Sequence, residues 1–231
     1  MKALAFDSGP IISLAMNNLL WLLEPLKHAF GAPFYITPTV RHELVERPLK
    51  IKKFEYEAIQ VAKLIDDGIV EVFTGTMTKR SEHLVKLANQ CYSSKGRYIR
   101  IVHDAEIETL TLAGDFSDHM SVVDERTVRL LLENPEDLRT LLERRLHRSV
   151  QMTAKNVRFF QDELADVRII RSSELVTSAF SLGLFDSLVP RLRNGREVLL
   201  DAVLWGVKSN GCAITTQEIE EIKEIILSKS L

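Results

Sequence analysis

Two hydrophobic periods run along the chain and divide it into elements. Residues 3–6 (ALAF) are apolar without interruption, as in a short buried strand. Pro10 sits where a helix can begin, because its missing N–H costs nothing in a first turn. Ile11, Ile12, Leu14, Ala15, Leu19, Leu20, Leu22 and Leu23 then predict a heavily apolar helical region up to Pro25. FYI at 34–36 is β-rich and stops at Pro38, which opens a helix over about 38–46. Phe54, Ala58, Val61 and Ile65 recur at helical spacing over 54–66, Asp66-Asp67-Gly68 end that run, and IVEVF at 69–73 alternates as a strand does. Further helices are expected over about 81–92 and 104–113, with SSKG at 93–96 as a loop between them. MSVV at 120–123 reads as a strand. Helices over about 125–132, 135–148 and 153–165 precede another strand, VRII at 167–170. The tail predicts helices over 173–182, 186–207 and 216–228, with a short AIT before the last.

Strands alternating with helices predict an α/β protein with a parallel sheet covered on both faces. No repeat, low-complexity tract or flexible linker divides the 231 residues, so one domain is expected. At 45% hydrophobic and 27% charged residues, the composition is that of a globular domain with a sizeable core. The net charge of −2 means that any basic, nucleic-acid-binding surface must be local. Cys91 and Cys212 are far apart and in no CxxC pattern, which argues against a disulfide scaffold and a zinc site and fits a reducing cytosol. MKALAFDSG is too short an apolar run for a signal-peptide core, and the longest run, LLWLLEPL, is broken by Glu24 and Pro25, so a cytoplasmic protein without a membrane partner is expected. Trp21 and Trp205 lie in apolar contexts and read as core.

Acids at element boundaries carry the candidate chemistry. In α/β sheets ligands bind beyond the carboxyl ends of the strands. Asp7 closes the first strand and Asp124 closes SVV; each taken alone is also a good helix N-cap. Glu43 shares a helix face with Val40 and Leu44, where a carboxylate is costly unless paired or bound to a cation, whereas Glu46 lies on another side and reads as solvated. In HDAEIETLTLAG, Glu106, Leu110 and Ala113 stand at i, i+4 and i+7, so Glu106 points along a core-facing stripe. Asp104 reads as a cap, and Glu108 as a solvent-facing or supporting acid. Four converging carboxylates would raise one another's pKa, and a hard divalent cation resolves that conflict. An all-oxygen set suits Mg2+ or Mn2+, which can activate water and offset charge on a phosphodiester.

These segments resemble, in order, the motifs of PIN-domain ribonucleases. LAFDSGPIISLA is similar to the first motif, ITPTVRHELVE to the second, AEIETLTLA to the third and SVVDERTVRLL, with Asp124, Glu125, Arg126 and Arg129, to the fourth. SSELVTSAFSLGLFDSLVPRL and GCAITTQEIEEI resemble the closing helices of one branch. The resemblance covers about 1–132 and 167–231. It implies a PIN-like three-layer α/β/α fold with a short, mainly parallel sheet. It also implies a Mg2+- or Mn2+-dependent ribonuclease with Asp7, Glu43, Glu106 and Asp124 as catalytic metal ligands, and Ser8, Glu108, Glu125 and Arg126 in secondary roles. Partners implied are an RNA substrate, with a homodimer or an antitoxin-like protein left open. Two departures stand out. Gly9 occupies a position where the family often has Ser, Thr or Asn. Residues 133–166 form a helical insertion carrying Arg139, Arg144, Arg145, Arg148, Lys155 and Arg158 beside Phe159 and Phe160. Arg144, Arg145, Arg148 and Arg158 are candidate RNA contacts. The competing reading makes Leu138, Leu141, Leu142 and Leu146 a packing stripe with the arginines as its solvated face, or a dimer contact. His42, His103 and His119 lie near the acids without a defined role. The rival functions are a degenerate module that binds RNA or a protein without cutting, and a haloacid-dehalogenase-type phosphohydrolase. The latter would need a second Asp at position 9.

Overall fold

The computed structural model describes residues 2–74, 79–114 and 118–228, with the side chains of 118 and 119 outside the described set. The chain opens with β1 (Lys2–Phe6), α1 (Ser8–Met16), α2 (Leu23–Phe30), β2 (Phe34–Ile36) and α3 (Pro38–Arg41), which widens without a break into a π turn over His42–Glu46. Next come α4 (Glu55–Asp66), β3 (Glu71–Val72), α5 (Lys79–Ala88), the hairpin β4 (Tyr92–Ser94) and β5 (Arg97–Tyr98), and α6 (Asp104–Gly114). The second half runs through β6 (Asp118–Val122), α7 (Arg126–Glu133), α8 (Pro135–Leu146), β7 (Gln151–Met152), α9 (Ala154–Glu163) and β8 (Arg168–Ile170). It ends with α10 (Ser172–Ser181), α11 (Gly195–Ser209) and α12 (Thr216–Ser228). The five strands of the main sheet stand in the order β3-β2-β1-β6-β8, and every pair is parallel. This is the expected three-layer α/β/α arrangement, with β1 at the centre.

The alternation within each strand assigns its two faces. Leu4, Phe6, Phe34, Ile36 and Val122 are fully buried and pack with Ile11, Leu14, Phe180, Phe185 and Leu204 from α1, α10, α11 and the turn before it. Each such large side chain contributes about 1.5–3 kcal/mol by leaving water. The opposite face carries small residues, so α6 lies close against it: Ala5 meets Leu112 and Ala113, and the Ser121 hydroxyl donates to the Thr109 carbonyl. Thr109 and Thr111 return their own hydroxyls to the carbonyls of Ala105 and Ile107, so both buried side chains are satisfied within the helix. A second apolar cluster lies beyond α6. It joins Leu84, Tyr92, Ile107, Leu110, Val123 and Val128 to Leu138, Leu142, Val157 and Phe160 of the insertion. β7 pairs with β4, so the insertion is also stitched to the hairpin by backbone hydrogen bonds. Thus α6 touches both clusters.

Several elements differ from expectation for identifiable reasons. The apolar region before Pro25 is two helices, not one. Asn18 takes a left-handed φ of 54° and the Leu19 N–H returns to Leu14, a helix-ending arrangement. Pro25 then falls in the first turn of α2 and ends nothing. The 93–96 loop is a tight hairpin: Lys95 and Gly96 both have positive φ, as a two-residue primed turn requires. The helix expected over 81–92 stops at Ala88. The one expected over 186–207 begins only at Gly195, after a single 3-10 turn at Asp186–Leu188 and an interruption at Pro190. Trp21 and Trp205 are not core residues, at 43% and 38% exposed; Trp21 lies edge-on to Phe185. Within the insertion Leu138 and Leu142 are buried as the packing reading expects, but Leu146 is exposed. Among the described residues, no helix is long and apolar enough to cross a membrane.

Candidate functional site

Asp7 follows the central strand and is 5% exposed. Its backbone N–H joins the ladder through Val122, and its Oδ2 accepts the Gly9 N–H at 3.5 Å, so Asp7 itself caps α1. Ser8, the first residue of that helix, is half-buried. Asp7 Oδ1 is buried with no hydrogen-bond partner. Burial, reinforced by Glu43 and Asp124, pushes the Asp7 carboxyl up to about 6 despite the backbone N–H groups of Ser8 and Gly9.

Glu43 lies in the π turn after α3 and is half-buried between Val40 and Leu44, both buried, whereas Glu46 is exposed and pairs with His42 at 2.7 Å. The helix bearing Glu43 is itself anchored: Thr37 caps α3 through the Val40 N–H and donates its hydroxyl to Glu108 Oε2 at 3.1 Å. Glu108 therefore ties α6 to α3. Glu106 is half-buried, and its Oε2 accepts the His103 N–H at 3.0 Å, so Glu106, and not the exposed Asp104, closes the start of α6. Burial first, then Asp7, Glu125 and Glu43, raise Glu106 to about 8. Asp124 is 3% exposed, and both its oxygens are engaged by Ser172, Oδ1 with the N–H and Oδ2 with the hydroxyl, each at 2.8 Å. The Cys212 thiol also hydrogen-bonds it; burial still leaves its carboxyl raised. Glu125 caps α7 through Thr127 N–H and hydroxyl, which makes it a structural acid facing Glu106. Arg126 is exposed at the head of α7, while Arg129 reaches the Ala213 carbonyl and Glu218. Ser172 and Thr37 were not legible as site residues: each is a routine helix-start residue whose partner lies 48 or 71 positions away.

The structure thus places Glu43, Glu106 and Asp124 within electrostatic reach of Asp7, and Glu43 within reach of Glu106. They do not form a closed set: among the described residues, no three His, Cys, Asp or Glu side chains stand as a group that could hold an ion. The donor chemistry fits a hard cation nonetheless. The unpartnered, buried Asp7 Oδ1 calls for a positive partner, and the surrounding atoms are carboxylate oxygens. A Cβ at Gly9 would meet Asp7 Oδ2 at 3.6 Å and Asp124 Cβ at 3.7 Å, ordinary contacts, so glycine is not required there by space. Cys91 and Cys212 are both buried, free thiols. His103 is exposed beside Glu106, and the His119 side chain lies outside the described residues.

Beside Glu106 opens a polar cleft of about 260 Å3, whose lining includes Arg100, His103, Glu106, Glu125 and Arg145. Of the four arginines picked from the insertion, Arg145 lines this cleft; Arg144, Arg148 and Arg158 are exposed and are not part of its lining. A separate apolar groove of about 210 Å3 is lined by Glu43, Met16, Leu44, Phe54 and Val61. No family model, curated protein or solved structure matches the chain.

The raised carboxyls set a sign for stability. The folded protein holds protons at Asp7 up to about pH 6 and at Glu106 up to about pH 8, whereas the unfolded chain releases them near pH 4. Their favourable contribution is complete below pH 4 and is lost as pH rises through those values. The melting temperature of wild type in EDTA should fall from pH 5 to 9 relative to Glu106→Gln, with the gap widening through pH 8. Parallel curves for the two proteins would contradict the assignment.

Proposed function

We propose that the protein is a Mg2+- or Mn2+-dependent ribonuclease of the PIN type. The observation that carries the reading is Asp7, a buried acid at the carboxyl end of the central strand, with one oxygen unpartnered and three further acids around it. Asp7, Glu43, Glu106 and Asp124 would hold the ion, which would supply charge neutralisation at the phosphodiester and a lowered pKa for attacking water. Asp7 is the rigid centre, because its backbone belongs to the sheet ladder. Asp124 is fixed by Ser172, and Glu43 and Glu106 are the adjustable members, half-buried on longer side chains. Glu108, through Thr37, keeps the helices of those two acids in register.

A second reading, a module that binds RNA without cutting it, draws on a specific observation: both Asp124 oxygens are already committed to Ser172, and Gly9 supplies no side-chain oxygen. Titration of Mn2+ into the protein, followed by calorimetry and by incubation with structured and single-stranded RNAs, separates the two. Saturable Mn2+ binding with cleavage of at least one RNA supports the enzyme. RNA binding without ion binding or cleavage supports the module and overturns the enzyme.

A further inference from the structure

The cleft beside Glu106 is built from two separate parts of the chain. Arg100 follows the β4–β5 hairpin, and Arg145 lies in the last turn of α8, in the insertion. Ile101, Thr127 and Leu142 complete its walls, and His103 stands at its edge next to Glu106. Arg100 and Arg145 are exposed, and neither makes a hydrogen bond or ion pair among the described residues, although Glu106 and Glu125 line the same cleft. Glu125 instead spends Oε1 on the N–H and hydroxyl of Thr127, and Glu106 spends Oε2 on the His103 N–H. Other arginines near the site are committed: Arg171 to Glu174 and Glu218, and Arg129 to Glu218 and Ala213. Two free guanidinium groups lining one cleft together with carboxylates are an arrangement for an anion that must approach acids. A guanidinium binds a phosphate through paired N–H groups and offsets the repulsion between that phosphate and the carboxylates.

We propose that Arg100 and Arg145 grip a backbone phosphate of a single-stranded RNA beside Glu106, so that the insertion supplies one wall of the substrate cleft. The inference rests on the ribonuclease reading for the identity of the acids, and it deepens that reading by naming how the strand is held. At about 260 Å3 the cleft has the size of a phosphate with its sugar. A single strand can thread it because its backbone is not paired and can bend.

The test reads binding separately from cleavage. A fluorescently labelled 12-nucleotide RNA is titrated with full-length protein in EDTA at about 50 mM salt, and anisotropy is followed for wild type, the double variant Arg100→Ala/Arg145→Ala and a control, Arg144→Ala/Arg148→Ala. The control removes the same amount of charge, from exposed positions outside the cleft lining. The cleft variant should lose about tenfold or more in affinity. Its log affinity should also depend less steeply on log salt by roughly 0.7, the value for one single-strand phosphate no longer neutralised. The control should lose no more than about threefold. Equal losses in the two variants, or no wild-type binding, overturn the proposal. A duplex of the same length that binds as tightly and is equally weakened overturns the single-strand assignment. Both outcomes are independent of Mn2+: a protein that fails to cleave yet shows the cleft-specific loss refutes the nuclease reading and leaves the grip standing.

Discussion

Asp7→Asn should abolish Mn2+-supported RNA cleavage, by a hundredfold or more, and at the same time stabilise the metal-free protein. The two effects have one origin. Asp7 is 5% exposed, its Oδ1 has no partner, and burial lifts its carboxyl to about 6. At pH 8 the folded protein must therefore keep a charge where it is poorly solvated. An amide of the same shape removes that cost, worth on the order of 1–3 kcal/mol from a displacement of about two pH units. For a chain of this size that is several degrees in melting temperature. The same amide cannot supply an anionic ligand to a cation. Scanning calorimetry at pH 8 with and without Mn2+ reads both sides: Mn2+ should raise the melting temperature of wild type and leave the variant unmoved. A variant that melts lower than wild type in EDTA, or that retains cleavage, would show that Asp7 is merely a cap for α1. Stability given up at a site in exchange for chemistry is a common pattern in enzymes.

Arg171→Ala should be strongly destabilising, at about 1.5–3 kcal/mol, because it removes a buried guanidinium that serves two half-buried acids and a backbone carbonyl. Arg171 is 8% exposed; its guanidinium donates to both Glu174 oxygens, to Glu218 at 2.8 Å and to the Ala213 carbonyl at 2.9 Å. Its backbone N–H donates to Glu174 as well. The network holds Glu218 down to about 2, by hydrogen bonds from Thr215 and Arg171 that outweigh its burial. Urea denaturation of Arg171→Ala and Arg171→Met checks the magnitude; a loss below about 1 kcal/mol in both would mean that the network is dispensable. The consequence reaches the site, because Ala213, which Arg171 holds through its carbonyl, donates its own N–H to the Asp124 carbonyl at 3.2 Å. Mn2+ affinity should therefore fall in the variant even where the protein remains folded.

The central sheet was legible because its strands are short apolar runs between helical repeats, and four of the five fall where the pattern put them. β3 is shorter than IVEVF suggests, since only Glu71 and Val72 find partners on β2. The features that escaped are those in which local chemistry overrides periodicity. Leucines continue through 19–23, but Asn18 can adopt a left-handed backbone and the helix ends before them. Leu188 and Leu192 prolong an apolar pattern that Pro190 cannot join to the helix starting at Gly195. At the site, spacing on one helix singled out Glu106 from Glu108, but it could not show that Glu106 spends an oxygen on its own helix start. Nor could it show that Asp124 is clamped by Ser172, because that pairing depends on β6 and β8 lying side by side. Arg100 carried no local signal at all; only the folding of the hairpin against the insertion brings it into the same cleft as Arg145.

The position of α6 between two apolar clusters gives the site a mechanical character. Asp7 and Glu43 are flanked by side chains of the first cluster, whereas Glu106 sits between Ala105, which belongs to the first, and Ile107, which belongs to the second. The spacing between the acids is thus a joint between two separately filled bodies and not a property of either one. A cavity at Leu138 or Val157, within the insertion, would loosen the packing of the second cluster on α6. Such substitutions would act as adjustments to the width of the cleft, and the insertion would serve as the lever that sets it.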